Sequence, residues 1–111
     1  MSRQSNWDKY EVALLIESVM KIHQGIVSRD DELHKLSNLL RKRAQNLGQI
    51  IDDKFRNYNG MSLQVASIES LLLPDRAHRH YSRLFDEMVE LYNSDSMRFE
   101  AILTEAHRQS E

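Results

Sequence analysis

"WDKYEVALLIESVMKIHQG", Trp7 to Gly25, carries the pattern that decides the fold. Asp8 has the side chain of a helix cap, and Glu11, three residues on, is placed to reach back to the cap's own amide. Trp7, just outside, would pack on Val12 as a hydrophobic staple. Val12, Leu15, Ile16, Val19, Met20 and His23 recur at spacings of three and four, which gathers them on one helix face. Gly25 offers a left-handed stop. The stretch predicts an amphipathic helix from about Lys9 to Gln24, and the same grammar repeats downstream.

Ser28 caps a second helix over Arg29 to Leu47, with Asp30, Asp31 and Glu32 at its positive end. Leu33, Leu36, Ser37, Leu40, Ala44 and Leu47 form its stripe, Gly48 ends it, and Arg41, Lys42 and Arg43 fall on its flanks and outer face. Ile50 and Ile51 read as buried anchors of the connection. Asp52 or Asp53 caps a single turn, Asn59-Gly60 reverses the chain, and Ser62 caps a third helix that ends before Pro74. Asn-Gly also signals a hairpin, but the flanking residues do not alternate as strands do. Tyr81, Leu84, Phe85, Met88, Val89 and Tyr92 make a fourth helix closed by Asn93. Ser94 and Asp95 restart a fifth, with Phe99, Ile102, Leu103 and Ala106 inward.

Composition agrees with helix. One Pro and three Gly in 111 residues leave too few breakers for an all-β domain. The expectation is an all-α, compact bundle of about five helices, with a helix-turn-helix-like core and a C-terminal helical pair. A single helical domain spans residues 7–107, with residues 1–6 and 108–111 as flexible ends. At 41% hydrophobic and 29% charged, the chain has the make-up of a folded domain. No run approaches a membrane span and no signal-peptide core opens the chain, so a cytoplasmic location is expected.

The same counts exclude several chemistries. With no Cys there is no disulfide framework, thiolate metal site or cysteine nucleophile. His78 and His80 stand two apart, which on a helix points them to nearly opposite faces, and no third ligand has zinc-site spacing; no metal and no cofactor is expected. Acidic pairs drawn from Glu11, Glu17, Asp52, Asp53 or Glu69 carry no sign of convergence, and there is no phosphate-cradling loop or nucleophile elbow. No catalytic residue is assigned, and the chain is read as non-enzymatic. The methionines Met20, Met61, Met88 and Met97 read mostly as core fillers.

Charge is segregated. The formal net charge is -2, yet residues 35–56 sum to +4 and residues 84–111 to -5. The basic middle surrounds "FRNYNGMSLQ", Phe55 to Gln64. A helix-turn-helix reader sets the start of its second helix in the major groove, using basic side chains on phosphates and Asn, Gln or Ser on base edges. Arg41, Lys42, Arg43, Lys54, Arg56, Asn57, Asn59, Ser62, Gln64 and Ser67 are the candidate contacts. The competing reading of Asn57 and Asn59 is local: they cap and turn the chain. The acidic C-terminal surface could instead imitate nucleic acid toward a basic partner.

The order "NWDKYEVALLIE", "LHKLSNLLRKRAQNLG", "IDDKFRNYNGMSLQVASIESLL" and "YSRLFDEMVELY" resembles the small helical module at the N-termini of bacterial HNH-type restriction nucleases and related phage-defence proteins. The likeness covers about Trp7 to Tyr92 and rests on Trp7, Leu36-Ser37, Phe55, Arg56, Asn57, Asn59 and Gly60. The module is similar to Myb-like helix-turn-helix domains, and the resemblance implies a nucleic-acid-binding or target-recognition unit of bacterial or phage origin. Without a nuclease, it implies a regulator that binds double-stranded DNA. The alternative is a small protein-binding adaptor or anti-defence inhibitor that engages a defence or CRISPR-type complex through its helical surface. A homodimer through the stripes of the last two helices is a further expectation.

Overall fold

The computed structural model describes residues 7–72 and 83–111, and within them the protein is all-α. Five helices follow in order: α1 (Lys9–His23), α2 (Arg29–Asn46), α3 (Tyr58–Leu72), α4 (Arg83–Ser94) and α5 (Ser96–Gln109). The expectations that named Pro74, His78, His80 and Tyr81, and the fraying of the first residues, fall outside the described residues.

The capping box of α1 is present in full. Asp8 accepts from the Glu11 amide at 2.9 Å and Glu11 accepts from the Asp8 amide at 3.1 Å. The helix is not one-faced, however. Val12, Ala13, Leu14, Leu15 and Ile16 are all buried, because α1 runs through the middle of the bundle and touches each of the other four helices. A helix apolar on nearly every side is stable only where neighbours cover it all round. Those neighbours form a shell in chain order, α2 against α3, α3 against α4 and α4 against α5. Side-chain hydrogen bonds then tie the end of α5 to α2, with Arg43 reaching the Gln109 side chain at 2.7 Å and Asn46 reaching the Gln109 and Glu111 carbonyls at 3.0 Å. The last residues, expected to fray, are pinned by these bonds. Phe85, Met88 and Val89 of α4 and Phe99, Leu103 and Ala106 of α5 enter the same core as α1, so the stripe expected to serve a second copy is used inside the fold.

Several local expectations are corrected. Ser62 does not cap α3. Asn57 does, accepting from the Gly60 amide at 2.9 Å, so Asn59 and Gly60 lie in the first helical turn and do not reverse the chain. A Cβ on Gly60 would stand 3.2 Å from the Asn57 side-chain oxygen, which gives the glycine a reason: it lets the cap close. Ile50 is fully exposed and Ile51 half-buried, so only one of the pair helps anchor the connection. Leu47 and Met97 are also exposed, the first because α2 has already ended at Asn46 and the second because it sits on the outer side of the first turn of α5.

Candidate nucleic-acid interface

The connection from α2 to α3 runs over residues 47–57, longer than the three or four residues of a helix-turn-helix turn. It is nevertheless held at many points. Gly48 takes a positive φ of +86°, as a left-handed helix stop requires. Asp52 accepts from the Lys54 and Phe55 amides at 3.0 Å each, fixing a turn over residues 53–56. Arg41, on α2, donates to the carbonyls of Asp52 at 2.9 Å and Phe55 at 2.6 Å.

The path leads to Arg56. Its φ is +49°, a left-handed conformation that costs a non-glycine residue about 1–2 kcal/mol. What holds it there is a set of contacts to α1, to α2 and to two aromatic rings. The Arg56 guanidinium donates to both oxygens of Glu11, Nε to Oε2 at 2.8 Å and Nη2 to Oε1 at 3.0 Å. It lies 4.6 Å from the centre of the Trp7 ring and 4.5 Å from that of Phe55. Its carbonyl accepts from the Ser37 hydroxyl of α2 at 2.6 Å. Arg56 is 2% exposed, and its planar fork suits both the bidentate carboxylate and the aromatic stack. Trp7 is completed by Phe85, edge-on at 5.8 Å.

Trp7, Ser37, Phe55 and Arg56 thus form one structural knot with Glu11, and the cap made by Asn57 and Gly60 follows directly on it. It fixes the start of α1, the middle of α2 and the cap of α3. The sequence marks Glu11 as a capping residue and gives no sign of its pairing with Arg56, and Glu11 does both jobs. Arg43 is withdrawn as well: it is 5% exposed, pairs with Asp8 at 3.0 Å and lies over Tyr10 at 5.3 Å. Arg41 is half-buried against the connection. The expectation that Arg43 lies on a flank or outer face of α2 is overturned, because its guanidinium closes the bundle at the α1 and α5 ends.

The remaining candidates are on the outside. Lys42, Lys54, Asn59 and Ser62 are exposed, while Gln64 and Ser67 are half-buried. Asn57 is occupied with its cap. The first turn of α3 holds no acidic residue. Its one carboxylate, Glu69, points inward, where it accepts from His23 at 2.7 Å and Arg29 at 2.6 Å. Burial alone would raise the Glu69 pKa, but the hydrogen bonds and charges of Arg29 and His23 outweigh it and hold the carboxyl below its usual value. Beside the same helix start, Tyr58 donates to Asp30 at 2.9 Å, and this bond to a carboxylate raises its phenol pKa.

Two water-sized clefts flank α1. One lies among Asp8, Glu11, Arg43, Gln49, Phe55 and Arg56; the other among Glu17, Ser18, Lys21, Glu32, Lys35 and His107. In the second, Ser18 donates to the buried Glu32 at 2.7 Å and His107 meets Glu17 at 2.8 Å. Among the described residues no group of His, Asp and Glu is arranged to hold a metal ion, and no helix is long and apolar enough to cross a membrane. The geometry therefore defines an all-α bundle in which Glu11 and Arg56 form an internal arginine clamp beside a helix, α3, whose outer face carries no charge. No family model matches the chain, and no curated protein or solved structure matches it either.

Proposed function

We propose that the protein is a non-enzymatic nucleic-acid-binding module of the bacterial or phage defence type, using the start and outer face of α3. The observation that carries this reading is the Asn57-capped start of α3. The helix there presents exposed Asn59 and Ser62, has no carboxylate in its first turn, and follows exposed Lys54. Positive dipole charge, amide and hydroxyl groups and a nearby lysine together suit a phosphate backbone and the base edges behind it. Arg56 and Arg43 are assigned to the frame, and Lys42, Lys54, Asn59, Ser62, Gln64 and Ser67 to the contact surface. The test is titration of labelled duplex DNA with the protein at low and physiological salt, beside the Lys42→Ala/Lys54→Ala double variant. Saturable binding that weakens with salt and falls in the still-folded variant supports the reading; no binding at low salt overturns it.

A second reading is a protein-binding adaptor or anti-defence inhibitor. Leu63, 70% exposed on α3, and Ile50, fully exposed in the connection, favour it, since apolar side chains in the open suit a protein surface. On that reading Leu63→Asp abolishes capture of a defence complex, and salt has little effect.

A further inference from the structure

We infer that the outer face of α3 selects duplex DNA rich in A·T pairs, an inference that rests on the nucleic-acid reading above. Asn59, Leu63 and Ser70 follow one another along the outer row of the helix at spacings of four and seven, with Ala66 and Ser67 beside them. No charged side chain lies on this row, because Glu69, the helix's one Asp, Glu, Lys or Arg, is turned inward to His23 and Arg29. The hydroxyls of Ser67 and Ser70 donate to carbonyls of their own helix, Leu63 and Ser67 respectively. What the face offers a partner is the exposed Asn59 amide and, one turn on, the Ser62 hydroxyl and the Leu63 side chain.

Those two groups have a defined fit in the major groove. A side-chain amide donates to N7 and accepts from N6 of adenine, and an apolar side chain packs on the thymine methyl group. Guanine is read by the forked donors of Arg or by Lys, and cytosine by Asp or Glu, none of which this face contains. An A·T step is satisfied by the pair Asn59 and Leu63. A G·C step would meet at most a single amide or hydroxyl donor, without the forked donor that guanine's paired acceptors call for.

The experiment compares A·T-only, G·C-only and mixed duplexes of equal length by anisotropy at low salt. It adds an A·T duplex in which deoxyuridine replaces thymidine and so removes the methyl group. Parent, Asn59→Ala and Leu63→Ala proteins are each checked for helicity. The parent is expected to bind the A·T duplex about tenfold tighter than the G·C one, the scale of a single good base contact. Uracil replacement should weaken the parent and leave Leu63→Ala unaffected, and Asn59→Ala should lose most of the preference. Equal affinity for all duplexes overturns the A·T inference and leaves the nucleic-acid reading standing. A preference untouched by uracil and by both variants assigns it to groove shape and overturns the role of α3. No binding to any duplex overturns both readings and favours a protein partner.

Discussion

Lys54 and Arg56 are separated by one residue, yet the first is exposed and the second is 2% exposed between two aromatic rings and a carboxylate. Lys42 and Arg43 repeat the contrast on α2, where neighbouring cations face solvent and core respectively. In both pairs the arginine is inside. Its guanidinium is weakly hydrated and planar, so it can satisfy a buried carboxylate and stack at the same time, whereas an ammonium keeps its water. A run of positive charge in the sequence therefore divides into a frame and a surface, and only the surface share is available to a phosphate.

That division is broken most directly at Glu11. Glu11→Ala leaves the buried Arg56 guanidinium without its carboxylate and removes half the capping box, an expected loss of about 3–5 kcal/mol that urea denaturation would measure. If Glu11→Ala melts like the parent, the clamp is not structural and the contrast fails. Asn57→Ala should cost about 1 kcal/mol, the usual worth of a helix cap, and Ser62→Ala much less; equal losses would return the cap to Ser62. At the surface, Lys42→Ala and Lys54→Ala should each change stability by less than about 0.5 kcal/mol. If they and Lys35 supply the phosphate contacts, the slope of log affinity against log salt is about -2 to -3, against about -5 were all six cations of residues 35–56 engaged.

A pH titration sharpens the same contrast without a substitution in the frame's arginines. The Glu69 pKa is lower in the folded chain than in the unfolded one, so its stabilising contribution is complete above the unfolded value, about 4.3. It is lost as pH falls through the folded value. Melting temperature should drop as pH falls below about 4.5 in the parent, and Glu69→Gln should flatten that part of the profile. An unchanged profile would mean that Arg29 and His23 do not hold the carboxylate in solution.

Much of the helix pattern was readable because it is local. Asp8 with Glu11, Ser28 as the cap of α2 and Asp95 as the cap of α5 are signals contained within a few residues, and each is made as read. The apolar run at residues 12–16 held a hint that α1 is central, but a periodic face and an all-round burial share most of their positions. The connection was misread for a definite reason: Asn57 and Gly60 also form part of a turn-like string, and an Asn-Gly pair has the same letters in a helix's first turn as in a reversal. The clamp was illegible. Glu11 and Arg56 lie 45 residues apart, and nothing in the letters reports that two arginines of the six cations, Arg43 and Arg56, are desolvated. Leu63 and Ile50 show the complementary gap, since hydrophobicity marks a residue as suited to a core without saying that a core reaches it.

The placement of α1 has a consequence for how the chain is made. The helix that the others wrap leaves the ribosome before all four of them, and its last cover, the buried Ala106 side of α5, comes about 90 residues later. At ordinary translation rates of about 5–20 residues per second, the apolar surface of Val12 to Ile16 waits roughly 5–20 seconds for its final neighbour. Over that interval the nascent segment is a ready client for a holding chaperone, and the native bundle can close only once α5 has emerged.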